Sequence, residues 1–120
     1  MIFFFHLKNK MNPSIFKEKE GIIKMDVKDK VKAWIIDLPQ TCELIEITFH
    51  FLDLDKFQQI NIYEGADKSG PILAILKGKK KVALPHTVRV NKSSTFISLK
   101  SLPFANKKKG SFKASYKAYC

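Results

Sequence analysis

Residues 43–65, ELIEITFHFLDLDKFQQINIYEG, decide the fold. From Ile45 the chain alternates. Ile45, Ile47, Phe49 and Phe51 share one face of an extended strand, and Glu46, Thr48 and His50 share the other. Wound into a helix, that period of two would scatter the apolar side chains around the axis, so β-structure is the reading that buries them together. A shorter strand follows over Gln59 to Glu64, with Ile60 and Ile62 on one side and Asn61 and Tyr63 on the other. The acidic, turn-prone Leu52 to Phe57 joins the two. Gly65, Gly70 and Pro71 mark the loop beyond.

Working outward, the same pattern recurs in short pieces. Gly21-Ile22-Ile23 begins a short strand, and Val31 to Asp37 reads as a strand with Trp34 and Ile36 on one face, stopped by Pro39. Ile72 to Lys77 is a short apolar run. Val82 to Val90 makes one or two strands broken at Pro85, and Thr95 to Ser101 sets Ile97 and Leu99 opposite Phe96 and Ser98. The last segment alternates most cleanly, with Phe112, Ala114, Tyr116 and Ala118 inward and Lys113, Ser115 and Lys117 outward. No segment carries a helical stripe and there is no internal repeat. Many short strands separated by turn signals imply an all-β antiparallel sandwich or barrel.

A chain of 120 residues makes one domain with a core of its own. The expected division is a poorly structured segment over 1–20 and one domain over 21–120. No apolar run approaches the roughly 20 residues of a spanning helix. The apolar start Met1 to Leu7 is too short for an export signal and lacks a basic beginning and a cleavage site.

Charge is uneven along the chain. All eleven acids lie at or before Asp67 together with nine of the 22 basic residues, and the thirteen basic residues that follow stand alone. Lysine runs at Lys79, Lys80 and Lys81 and at Lys107, Lys108 and Lys109 are candidate sites for an anion or an acidic partner. Arg89 is the only arginine, which argues against base-specific nucleic-acid recognition.

The residues that would mark an enzyme are missing. Asp53, Asp55, Glu64 and Asp67 are loop acids near one another in sequence, but such acids commonly serve as solvated counter-charges rather than an acid–base pair. His6, His50 and His86 lack metal-ligand spacing. No serine sits in a nucleophile elbow, and no glycine-rich phosphate loop is present. Cys42 and Cys120 match no zinc pattern, and the sequence leaves open whether they are bridged or free. Asn91-Lys92-Ser93 is an N-glycosylation acceptor pattern in an expected turn. Trp34, Ile47, Phe49, Ile62, Tyr63, Phe112 and Tyr116 are the candidate core.

Taken in order, four motifs resemble a CUB domain, an extracellular jelly-roll sandwich. They are Trp34-Ile35-Ile36-Asp37-Leu38-Pro39, the alternating Ile47 to Asp55, Ile60-Asn61-Ile62-Tyr63-Glu64-Gly65, and Gly110 to Tyr116 with one residue inserted. The resemblance covers about residues 31–119 and implies a CUB-like β-sandwich whose first strands are short or incomplete.

Departures from the family shape the functional expectation. Lys32 stands where the family usually has a cysteine, and Lys77-Gly78 stands where a second bridge would attach, so neither family disulfide forms. Two family calcium ligands fall on Gln58 and Leu102, which leaves too few carboxylates for a hard cation. The resemblance therefore implies a secreted, non-catalytic module without cofactor that binds proteins or glycans independently of calcium. Two alternatives stand beside it. One is a lysine-rich binder of heparin-like glycans or nucleic acid. The other is a fragment of a larger extracellular CUB-containing protease or lectin, a reading that the abrupt end at Cys120 and the poor start both suit. No HExxH occurs in the chain.

Overall fold

The computed structural model describes residues 13–26, 32–106 and 109–120. Nine strands run in order: β1 (Ser14–Phe16), β2 (Glu20–Met25), β3 (Ala33–Asp37), β4 (Leu44–Asp53), β5 (Gln58–Glu64), β6 (Ile72–Lys77), β7 (His86–Val90), β8 (Ser94–Ser101) and β9 (Ser111–Tyr119). They form two sheets, one ordered β1-β3-β8-β5-β6 and the other β2-β9-β4-β7. Every pairing is antiparallel except that of β1 with β3. The chain is an all-β sandwich, and no described helix is long and apolar enough to cross a membrane. β1 and the first residue of β2 lie inside the 1–20 segment for which no regular structure was expected. The charged Lys17-Glu18-Lys19 separates β1 from β2.

The inner faces meet in one core. Ile23 and Met25, Trp34 and Ile36, Ile45, Ile47 and Phe49, Ile60 and Ile62, Val88 and Val90, Ile97 and Leu99, and Phe112, Ala114 and Tyr116 are all buried there. Phe112 packs edge-on against Trp34 of the opposite sheet, centroids 5.0 Å apart, and tilted against Phe49 at 5.7 Å. Tyr63 is buried as well, but on the other face of β5, in a small separate cluster with Ala33 and Phe96. Both faces of β5 and β8 are therefore covered, and their strict alternation of burial disappears.

One sequence expectation fails within β4. Phe51 is half-exposed rather than inward, because a bulge between Phe49 and Phe51 inserts an unpaired His50 opposite β9. Past the bulge the faces exchange: Leu52 pairs with Phe112 and packs on the core, and Leu54 is buried. Likewise only His86–Val90 of the 82–90 segment is a strand; the preceding residues turn through a cis Leu84–Pro85 bond.

Cys42 and Cys120, open in the sequence, are joined by a disulfide. Cys42 lies two residues before Leu44 of β4, Cys120 follows Tyr119 of β9, and Leu44 and Tyr119 are register partners.

Candidate functional site

The registers bring the ends of β4, β6 and β8 and the starts of β5 and β9 to one end of the sandwich, where Asp53 pairs with Ser111 and Gln58 with Ser101. Backbone bonds knit these loops together. Leu102 donates to the Phe57 carbonyl at 3.1 Å, Gly78 to that of Gln58 at 2.9 Å, and Gly110 to that of Asp53 at 2.9 Å.

Gln58 is the hub. It is buried, its Oε1 accepts from the Asp55 amide at 2.9 Å, and its Nε2 donates to the Lys109 carbonyl at 3.2 Å and Ser101 Oγ at 3.4 Å. One side chain thus ties the β4–β5 loop, the end of β8 and the β8–β9 loop. Gly78 approaches so closely that a Cβ there would lie 1.9 Å from the Asp55 carbonyl oxygen. Gly78→Ala is expected to force the two loops apart and to destabilise the domain by about 1–3 kcal/mol in urea unfolding. A neutral result would mean that the loops are not held together.

Around this frame the lysines converge. Lys77 and Lys100 flank Gln59 in register, forming a row across β6, β5 and β8. With Lys56, Lys79, Phe57, Gln58 and Leu102 they line a cleft of about 280 Å³. A second, of about 470 Å³, is lined by Lys77, Lys79, Lys80, Lys81 and Lys109 with Leu54, Val82 and Leu84. The clefts share Lys77 and Lys79, so they are contiguous. Asp53 is the one carboxylate lining either cleft, and it is held by Lys109 Nζ at 3.4 Å. Among the described residues, Lys77, Lys79, Lys80, Lys81 and Lys100 pair with no carboxylate.

Of the lysines singled out in the sequence, Lys79, Lys80, Lys81 and Lys109 meet here, while Lys107 and Lys108 lie outside the described residues. Lys56, Lys77 and Lys100 were missed. Lys56 and Lys100 stand apart from any run and Lys77 is cut off from one by Gly78; the strand registers place Lys77 and Lys100, and the β4–β5 loop brings in Lys56.

The other candidates do not assemble. Asp55 accepts the Phe57 amide at 3.1 Å within its own loop, whereas Glu64 and Asp67 are at the far end. Hydrogen bonds from the Ser69 hydroxyl and amide hold the Asp67 carboxyl below its ordinary pKa. Asn91 is exposed in the β7–β8 turn, also at the far end. In the shallow cleft over the outer face of the four-stranded sheet, Glu46, Thr48 and Ser115 are each already bonded to a neighbouring side chain. Thr48 meets Thr87 at 2.9 Å, and His50 Nε2 meets Ser115 Oγ at 2.7 Å. Glu46 accepts from Arg89 Nε at 2.8 Å and from the Tyr119 hydroxyl at 2.9 Å. Those bonds, Arg89 first, lower the Glu46 pKa, and Glu46 in turn raises that of Tyr119. Among the described residues no group of three or more histidine, cysteine or carboxylate side chains could hold a metal.

Similar architectures are known. The structure superposes on the CUB1-EGF-CUB2 domains of rat MASP-1 with a TM-score of 0.67 at 17% identity, over 90% of this chain and 43% of that one. The MASP-1 CUB2 domain bound to Ca2+ matches with a TM-score of 0.58 at 15% identity, over 87% of this chain and 96% of that one. The fold is that of a CUB domain. The full extracellular region of zebrafish Gpr126/Adgrg6 matches too, with a TM-score of 0.62 at 13% identity, over 92% of this chain and 15% of that one. The chain thus spans under half of the rat MASP-1 fragment but nearly all of an isolated CUB domain. No protein-family profile and no curated protein matches the sequence.

On this CUB fold, Gln58 and Leu102 supply no carboxylate at the two positions where the family resemblance places calcium ligands. The Gln58 amide is neutral and turns its NH2 to Ser101 and Lys109, and Asp53 is engaged by the Lys109 ammonium. A hard cation requires several oxygen ligands, charged carboxylates among them.

Proposed function

We propose that this domain is a non-catalytic, calcium-independent interaction module, working outside the cell, that takes an acidic protein or glycan at its lysine-lined loop end. The observation that carries this reading is the pair of contiguous clefts, where seven lysines face a single, already paired carboxylate. Such a concentration of unpaired charge raises the local population of anions and speeds their arrival. The disulfide supports an oxidising, extracytoplasmic setting. The dispersal of Asp53, Asp55, Glu64 and Asp67 between the two ends supports a non-catalytic role. A glycan on Asn91 would sit at the end away from the lysines and leave them free.

The clefts contain lysine but no arginine, which favours point-charge contacts to a polyanion over bidentate reading of nucleic-acid bases. Heparin is therefore a suitable probe. Binding to immobilised heparin is expected to be unchanged by chelator and to weaken steeply as salt rises through the physiological range. It should fall by at least tenfold in the Lys77→Glu/Lys79→Glu variant, which alters both clefts. Chelator-sensitive binding, or an undiminished variant, would refute the reading.

A further inference from the structure

The lysines leave one property of this end unexplained. Phe104 is 65% exposed, Leu102 43% and Leu84 41%, all on the same two loops that carry the cationic clefts. Phe104 is held out, not frayed. The Ala105 amide bonds the Leu102 carbonyl at 3.0 Å, closing a turn around Pro103 and Phe104, while the Leu102 amide is anchored on Phe57 at 3.1 Å. The Phe104 ring stands edge-on to Phe57, centroids 4.4 Å apart, and Lys56 Nζ lies 5.1 Å from the Phe57 ring centroid. Apolar side chains on a pre-shaped loop, ringed by ammonium groups, match a surface that is anionic outside and apolar beneath.

We propose that this end of the sandwich docks on an anionic phospholipid surface. Phe104, with Leu102 and Leu84, enters the headgroup layer, and the surrounding lysines contact lipid phosphates and carboxylates. The proposal relies on the reading of the lysines given above and adds a role for the apolar tips. A soluble polyanion engages the charges but has no use for these tips. An acidic protein would need a pocket shaped to Phe104, whereas a lipid interface receives an exposed ring in any orientation. Lysines also suit headgroups better than arginine forks would suit a single fixed ligand, since their contacts are undirected point charges on flexible stems.

The test is co-sedimentation of the full chain with phosphatidylcholine vesicles, with and without about a third phosphatidylserine. Binding is expected only with phosphatidylserine. Phe104→Ser should weaken it about tenfold or more, as expected for losing one inserted aromatic, while retention on heparin stays unchanged. Phe104→Trp gives a second readout. Trp34 is buried and reports nothing, so a blue shift on adding anionic vesicles marks entry of the tip. Heparin retention without vesicle binding would overturn the lipid proposal and leave the polyanion reading intact. Vesicle binding that Phe104→Ser does not alter would also overturn it, since charge alone would then suffice. Loss of both kinds of binding would remove the two readings together.

Discussion

Replacing Phe112 with alanine is expected to destabilise the domain by about 3–5 kcal/mol, read as a lowered midpoint in urea unfolding. Phe112 lies on β9, an inner strand of the four-stranded sheet, and is 2% exposed. Its ring crosses the interior to meet Trp34 on β3, and flanks Phe49 on β4, so it interlocks the two sheets at the centre of the core. Truncation removes the transfer free energy of the ring and leaves a cavity that two paired sheets cannot close without disturbing their registers. Against a total stability of roughly 6–18 kcal/mol for a domain of this size, that is a large share. Phe112→Leu, which keeps most of the volume, should lose far less. Phe51→Ala supplies the contrast. With Phe51 turned outward by the bulge, its loss should stay within about 0.5 kcal/mol. Similar losses for Phe51→Ala and Phe112→Ala would mean that β4 runs without the bulge and that the register described here is wrong.

Which features were legible in the sequence follows from the range over which each is determined. The alternation of Phe112, Ala114, Tyr116 and Ala118 is written locally, and those side chains do point inward. Trp34 with Ile36 and Ile97 with Leu99 were equally readable, and so was the all-β sandwich they imply. The bulge was not, because His50-Phe51 continues the alternation in sequence while the extra residue is defined only by its failure to pair with β9. β1 escaped notice for a similar reason: three residues, Ser14–Phe16, gain their strand character from parallel pairing with β3, about twenty positions away. At the candidate site the runs around Lys80 and Lys108 stood out. Lys100, far from any run, and Lys77, one glycine away from the first, come to either side of Gln59 only because both are in register with it. The exposure of Phe104 is likewise a property of the assembled loops, set by the turn that the Ala105 amide closes on the Leu102 carbonyl.

Removing the Cys42–Cys120 disulfide, by reduction or by Cys42→Ala/Cys120→Ala, is expected to lower stability by about 2–4 kcal/mol. A loss of that size shifts the melting temperature of a domain this long by roughly 10–20 °C. The reason lies mainly in the unfolded chain. β4 and β9 are paired from Leu44↔Tyr119 to Asp53↔Ser111, and the Glu43 amide bonds the Tyr119 carbonyl at 2.9 Å, so the folded strands stay adjacent without the bridge. The unfolded chain has no such restraint. A bridge between residues 78 positions apart closes a long loop, for which chain entropy alone gives about 4–5 kcal/mol, above the usual measured range. Two observations separate this account from one based on native contacts. Reduction should increase the denaturant dependence of unfolding, because the released chain expands and exposes more surface. Heparin binding of the reduced but still folded protein should be unchanged, since Cys42 and Cys120 lie at the end of the sandwich opposite the lysine clefts. Equal melting temperatures with and without reductant would show that the bridge does not form in solution, and the case for an oxidising compartment would lose its structural support.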